Sequence, residues 1–115
     1  MTSSNCPFCR IAAGADPAEI VYEDGDLLAF RDRSPVAPTH ILLIPRQHIE
    51  NVRDAAAEDA DLLGKMLLKA AEVADDEGLP GGFRLVTNTG PQAGQSVYHL
   101  HIHLIGGRQM SWPPG

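Results

Sequence analysis

Tyr98-His99-Leu100-His101-Ile102-His103-Leu104-Ile105 alternates histidine with aliphatic residues at a period of two, which is the repeat of a β-strand. In such a strand His99, His101 and His103 project from one face, and Leu100, Ile102 and Leu104 from the other. The aliphatic face belongs in a core, so the imidazoles are expected on the opposite, wetter surface. Three of the chain's five histidines fall here. Imidazole titrates near neutral pH, and its neutral nitrogen is both a nucleophile and a metal ligand. The plain alternative is a half-exposed strand that happens to be rich in histidine.

A glycine-rich turn runs directly into this stretch: Asn88-Thr89-Gly90-Pro91-Gln92-Ala93-Gly94-Gln95-Ser96. Its glycines let the backbone approach a ligand, its N–H groups suit an anion nest around Gly94 and Gln95, and Ser96 adds a hydroxyl donor. A phosphate cradle leading into a row of imidazoles points to phosphoryl chemistry with histidine as the nucleophile.

The 115-residue chain is expected to form one domain over 1–115, with residues 1–5 flexible and 106–115 a non-helical tail. Its hydrophobic content of 43% marks it as globular. No apolar run reaches membrane-spanning length, and Met1-Thr2-Ser3-Ser4-Asn5 lacks the basic and apolar regions of a secretion signal, so a cytoplasmic location is expected. A net charge of −6 argues against a nucleic-acid polymer or an anionic membrane as partner, though not against a mononucleotide. Cys6-Pro7-Phe8-Cys9 reads as a redox pair or as half of a metal site.

Cys6 to Ala13 reads as a short helical turn closed by Gly14. Glu19–Glu23 and Leu27–Asp32 read as strands joined by the tight turn Asp24-Gly25-Asp26. The prolines of Ser34-Pro35-Val36-Ala37-Pro38 exclude regular structure. Thr39–Pro45 is a short apolar run suited to a buried strand, with His48 in the loop after it. From about Ala57 to Asp76, Leu62, Leu63, Met66, Leu67, Ala70, Val73 and Ala74 recur at helical spacing as a core face. Phe83–Asn88 alternates as a further strand. One long and one short helix with about five strands on short connections predict an α+β domain built on an antiparallel sheet.

The run His99-Leu-His101-Ile-His103-Leu-Ile resembles the motif of the histidine triad (HIT) superfamily. The likeness extends through Phe30-Arg31-Asp32, Ser34-Pro35, Ala37-Pro38-Thr39-His40, Ile44-Pro45, Gly94-Gln95-Ser96-Val97-Tyr98-His99 and Gly106-Gly107-Arg108-Gln109-Met110 to Trp112-Pro113-Pro114-Gly115. This combination is similar to the branch of histidine triad nucleotide-binding proteins, which hydrolyse purine nucleoside phosphoramidates. The resemblance implies that His101 attacks the α-phosphorus to form a nucleotidyl-histidine that water then cleaves. It leaves His103 or Ser96 to protonate the departing amine, with His40 in support or simply a satisfied, half-buried histidine.

It further implies that Asp32 accepts the ribose hydroxyls, rather than merely forming a turn. Phe30, Phe8 and Ile11 would wall the base, although each could equally be core, and Asn88 would bond the sugar or phosphate. Gly94, Gln95 and Ser96 would hold phosphate oxygens. Arg31 and Arg33 match no fixed family residue. Cys6, Cys9, His48 and His99 together make a tetrahedral site of structural type for zinc, with catalysis independent of the metal; the rival is a redox pair. A two-fold homodimer is implied, its sheet continuous across subunits and Trp112 near the neighbouring site. Two alternatives stay open: a dinucleoside polyphosphate hydrolase, and a nucleotide-binding regulatory module with incidental catalysis.

Overall fold

A computed structural model describes residues 5–115; the expected flexibility of residues 1–4 lies outside the described residues. Five antiparallel strands form one sheet in the order β1-β2-β3-β5-β4. They are β1 (Ile20–Glu23), β2 (Leu27–Arg31), β3 (Thr39–Pro45), β4 (Phe83–Val86) and β5 (Ile102–Gly106), with α1 (Pro7–Ala12) before them and α2 (Ala60–Asp76) between β3 and β4. Asp24 closes the β1–β2 hairpin: its Oδ1 accepts from the amides of Asp26 and Leu27, and Tyr22 donates its hydroxyl to Oδ2. No helix among the described residues is long and apolar enough to cross a membrane.

β3 is buried along its whole length, because both faces of the sheet are covered there. On one face Leu27, Ala29, Ile41, Leu43, Leu100, Ile102 and Leu104 meet Met66, Ala70, Val73 and Ala74 of α2. On the other, Leu28, Phe30, Leu42 and Ile44 meet Cys6, Phe8 and Cys9 of the α1 segment. The period-two alternation of each strand thus sorts its residues into two cores, and a one-residue slip would exchange them.

Two expectations change. The histidine-rich strand begins only at Ile102, because the amide of Leu100 is taken by the carbonyl of Ile49 at 2.6 Å and the carbonyl of His101 accepts from Thr87 Oγ1. The side-chain alternation nonetheless persists through His99 and His101. Leu67, expected in the core, is 52% exposed, with Leu68 at 70%. Of the sheet, α2 lies chiefly against β3 and β5, and Leu67 and Leu68 fall outside that contact.

Candidate active site and metal centre

The imidazoles do not line a wet surface. His99 is fully buried and His101 is only 8% exposed, since α1 closes over that face of the sheet. Pro7 starts α1, and Cys6 caps it by accepting the Cys9 amide at its sulfur. This short helix drives Phe8 edge-on against His101, with ring centroids 5.1 Å apart, and against Phe30 at 5.5 Å. β3 and β5 then set the remaining pair. Leu42 lies opposite His103 and His40 opposite Ile105, so His40 and His103 are diagonal neighbours on one face.

Hydrogen bonds fix the tautomer of each ring. A carbonyl only accepts, so His101 Nδ1, 2.7 Å from the His99 carbonyl, carries its proton and leaves a lone pair on Nε2. His40 Nδ1 accepts from the Val36 amide at 3.1 Å, which puts the proton of the neutral ring on Nε2. That proton is donated to His103 Nδ1 at 2.9 Å, so the neutral His103 carries its own on Nε2. Asp32 Oδ2 lies 3.4 Å from His40 Nε2. The arrangement sets one unprotonated ring nitrogen, on His101, beside one N–H donor, on His103.

Burial lowers the pKa of His99, His101 and His103 below the ordinary histidine value. For His103 the neighbouring His101 and His40 act in the same direction, bringing it to about 4. A histidine whose folded pKa is depressed stabilises the fold above its unfolded pKa, and that contribution is lost as pH falls through the folded value. Denaturant midpoints should therefore hold near neutrality and decline from about pH 6.5 toward pH 4. A midpoint unchanged from pH 7 to pH 4.5 would contradict this assignment of buried, neutral rings.

The donor atoms of Cys6, Cys9, His48 and His99 all lie within 4.8 Å of one another. Cys6 Sγ is 3.3 Å from His99 Nδ1, and Cys9 Sγ is 3.2 Å from His48 Nδ1 and 3.5 Å from His99 Nδ1. A zinc tetrahedron with ordinary bond lengths has S···N edges of about 3.6 Å, so the spacing fits that ion. The tautomer fits too. His99 Nε2 donates to the Pro45 carbonyl at 2.8 Å, which turns the Nδ1 lone pair toward the thiols in the manner of an outer-shell partner of a metal ligand. Burial raises the Cys6 thiol's pKa, and a metal ion would reverse that.

A cleft of about 380 Å³ adjoins the histidines, walled by Phe8, Ile11, Phe30, Leu42 and Val97, with Asp32 at its edge. Its apolar walls, with the carboxylates of Asp16 and Asp32 in the polar part of the lining, suit a flat base carrying a sugar. Phe8 and Leu42 connect it to the rings of His101 and His103.

The chain matches the family described as scavenger mRNA decapping enzyme C-terminal binding over residues 5–112. It is 55% identical over 113 residues to an uncharacterized HIT-like protein of Synechococcus elongatus, covering 98% of this chain and 99% of the other. The chain belongs to the histidine triad family. A 14 kDa zinc-binding protein of Brassica juncea is 53% identical over 110 residues, covering 94% of this chain and 97% of that one. The crystal structure of a HIT family hydrolase from Legionella pneumophila superposes with a TM-score of 0.95 at 53% identity, covering 96% of this chain and all of the other.

The remaining triad-family positions are placed unevenly. Asp32 does form a turn: its Oδ1 accepts the Ser34 amide at 2.7 Å while Oδ2 faces His40. Ser96 is exposed and lines a separate depression with Asn5, Cys6, Pro7 and His48; Val97 and Pro7 border both. Asn88 is half-buried in the loop after β4. Trp112 is 82% exposed, not packed on its own chain. Arg31 is drawn away to Glu77 at the end of α2, gripping both carboxylate oxygens, and to Glu19.

The glycine-rich turn differs most from expectation. The amides of Ala93, Gly94 and Gln95 bond the carbonyls of Gly90 and Pro91, so they close the turn and do not form an anion nest. The Gln95 side chain points inward. Its Oε1 accepts from Asn51 Nδ2 and the Gly90 amide, and its Nε2 donates to the carbonyls of Glu50 and Val97. Nothing local in the sequence marks this role, since Asn51 and Glu50 lie 44 and 45 positions away. Gln95→Ala orphans these buried groups and should cost about 2–3 kcal/mol of unfolding free energy. Urea denaturation checks it; a loss under about 0.5 kcal/mol would assign Gln95 no bracing role.

Proposed function

We propose that this histidine triad protein hydrolyses purine nucleoside 5′-phosphoramidates, of the AMP-amine and AMP-lysine type, through a nucleotidyl-histidine intermediate on His101. The observation that carries the reading is the 2.7 Å bond from His101 Nδ1 to its neighbour's carbonyl. It leaves Nε2 as an uncharged nucleophile next to a cleft shaped for a nucleoside. Kinship with HIT family hydrolases supports the hydrolytic class.

In the first step Nε2 forms a bond to the α-phosphorus and the phosphorus–nitrogen bond breaks. The His40–His103 pair, holding one proton taken up from solvent beside Asp32, gives a proton from His103 Nε2 to the amine and returns to neutral, which favours His103 over exposed Ser96 as the donor. The positive ring of nucleotidyl-His101 is stabilised by the His99 carbonyl on Nδ1. Water then attacks phosphorus, the bond to Nε2 breaks, and the water's proton restores the chain. Asp32 accepts the ribose hydroxyls, Phe8, Ile11 and Phe30 enclose the base, and Asn88, Gly94, Gln95 and Ser96 border the sugar and phosphate path.

Cys6, Cys9, His48 and His99 hold a structural zinc ion, which cross-links α1, the loop after β3 and the start of the histidine segment. The reaction needs no metal at phosphorus. The protein works as a single domain in the cytoplasm and as a two-fold dimer. Edge strand β4 joins its copy, exposed Leu67 and Leu68 pack between subunits, and Trp112 reaches the neighbouring cleft. Sedimentation as a monomer at micromolar concentration would remove the dimer.

Single-turnover assays with an AMP-lysine phosphoramidate, joined through phosphorus and the lysine side-chain nitrogen, a diadenosine polyphosphate and AMP test the reading. Rapid release of lysine is the expected result. Faster cleavage of the dinucleotide would make this a polyphosphate hydrolase, and tight AMP binding with negligible turnover would make it a regulatory module.

A further inference from the structure

At the end of α1 the chain doubles back. Gly14 adopts φ +76°, a conformation open to glycine, and the amides of Gly14 and Ala15 bond the carbonyls of Ile11 and Arg10 at 3.0 and 2.8 Å. The reversal returns Asp16 over the helix end, where Oδ2 accepts Arg10 Nε at 2.7 Å. Oδ1 has no hydrogen-bond partner among the described residues. An ion pair this exposed contributes little to folding, with side chains 45% and 36% accessible. Its position is the informative feature, because Arg10 and Asp16 belong to the lining of the cleft that also holds Phe8, Ile11, Phe30 and Asp32.

Asp16 lines the same cleft as Phe8, Ile11, Phe30 and Asp32, so a purine with its ribose at Asp32 and its base between those apolar walls can turn its outer edge to the Asp16 carboxylate. That edge differs between purines. Guanine presents two adjacent donors, N1–H and the 2-amino group, which match both oxygens of one carboxylate. Hypoxanthine keeps N1–H but lacks the amino group. Adenine presents a lone pair at N1, which the carboxylate repels, and a single donor in its 6-amino group. A charge-assisted, two-point contact discriminates more strongly than apolar walls can.

We infer that Asp16 reads the purine edge and makes guanosine phosphoramidates the preferred substrates over adenosine ones. The inference rests on the cleft being the nucleotide pocket. Arg10 holds the carboxylate in place, so it is a positioning residue.

Calorimetric titration of the purified full chain with GMP, IMP and AMP tests this without reference to turnover. GMP should bind about tenfold more tightly than AMP, with IMP between them. Asp16→Asn, nearly isosteric, should shrink the GMP-to-AMP ratio to about two or less. Equal binding of GMP and AMP by the unaltered protein would overturn the inference while leaving the nucleotide pocket intact, as would an Asp16→Asn protein that keeps the full ratio. If none of the three nucleotides binds at millimolar concentration, the pocket assignment falls and the inference with it.

Discussion

Replacing His101 by asparagine should lower phosphoramidate turnover by about 10⁴-fold or more while leaving nucleotide affinity within a few-fold of its starting value. Asparagine is close in size, and its amide N–H can keep the bond to the His99 carbonyl, so the ring's surroundings need not collapse. What it lacks is a second nitrogen with a lone pair. A transition state with little covalent help from elsewhere depends on alignment and charge placement, and losing the attacking atom removes the reaction path itself. His103→Asn should behave differently: amine leaving groups suffer most, because its N–H serves departure and not attack. Stopped-flow measurement of amine release, with a parallel AMP titration, separates the two. A His101→Asn protein with ordinary rates would defeat the mechanism.

The second large effect concerns the thiol–imidazole centre. Stripping metal with a strong chelator, or replacing Cys9 by alanine, should lower the melting temperature by roughly 10 °C or more, equivalent to about 3 kcal/mol or more. The reason is geometric. The four side chains come from three separate segments, and the donors Cys6 Sγ, Cys9 Sγ and His99 Nδ1 crowd within 3.3–3.5 Å around His99. Without a cation, electron-rich atoms face one another with few hydrogens to share. Metal analysis of protein purified without added zinc should give one equivalent. Absence of zinc together with unchanged melting would leave Cys6 and Cys9 as ordinary buried thiols.

Much of this architecture is written in local patterns. The apolar run of Thr39–Pro45 marks a strand buried on both faces, the alternation of Leu100–Leu104 specifies which of its residues enter the core, and α2 is marked by its apolar spacing. The resemblance around His99-Leu-His101-Ile-His103 marks out the candidate site residues. The misjudged points share a cause: each depends on what a distant segment covers. The histidines are buried because Phe8, more than ninety positions earlier than His99, lies over them. Gln95 braces two loops through Asn51 and Glu50, and Arg31 crosses to Glu77; neither partner is implied by its neighbours in the chain. Leu67 fits the helical stripe, yet it lies outside the part of α2 that β3 and β5 cover. Periodicity reports the phase of a face and leaves open the width of the surface it meets.

The most direct test of the central claim is to quench the reaction of the protein with an adenosine or guanosine phosphoramidate and map the adduct by mass spectrometry. The account predicts a nucleotidyl group on His101, formed as fast as the amine appears and absent from His101→Asn. Full turnover with no adduct under rapid quench, or an adduct on His40, His103 or Ser96 that forms and decays at the rate of turnover, would contradict it.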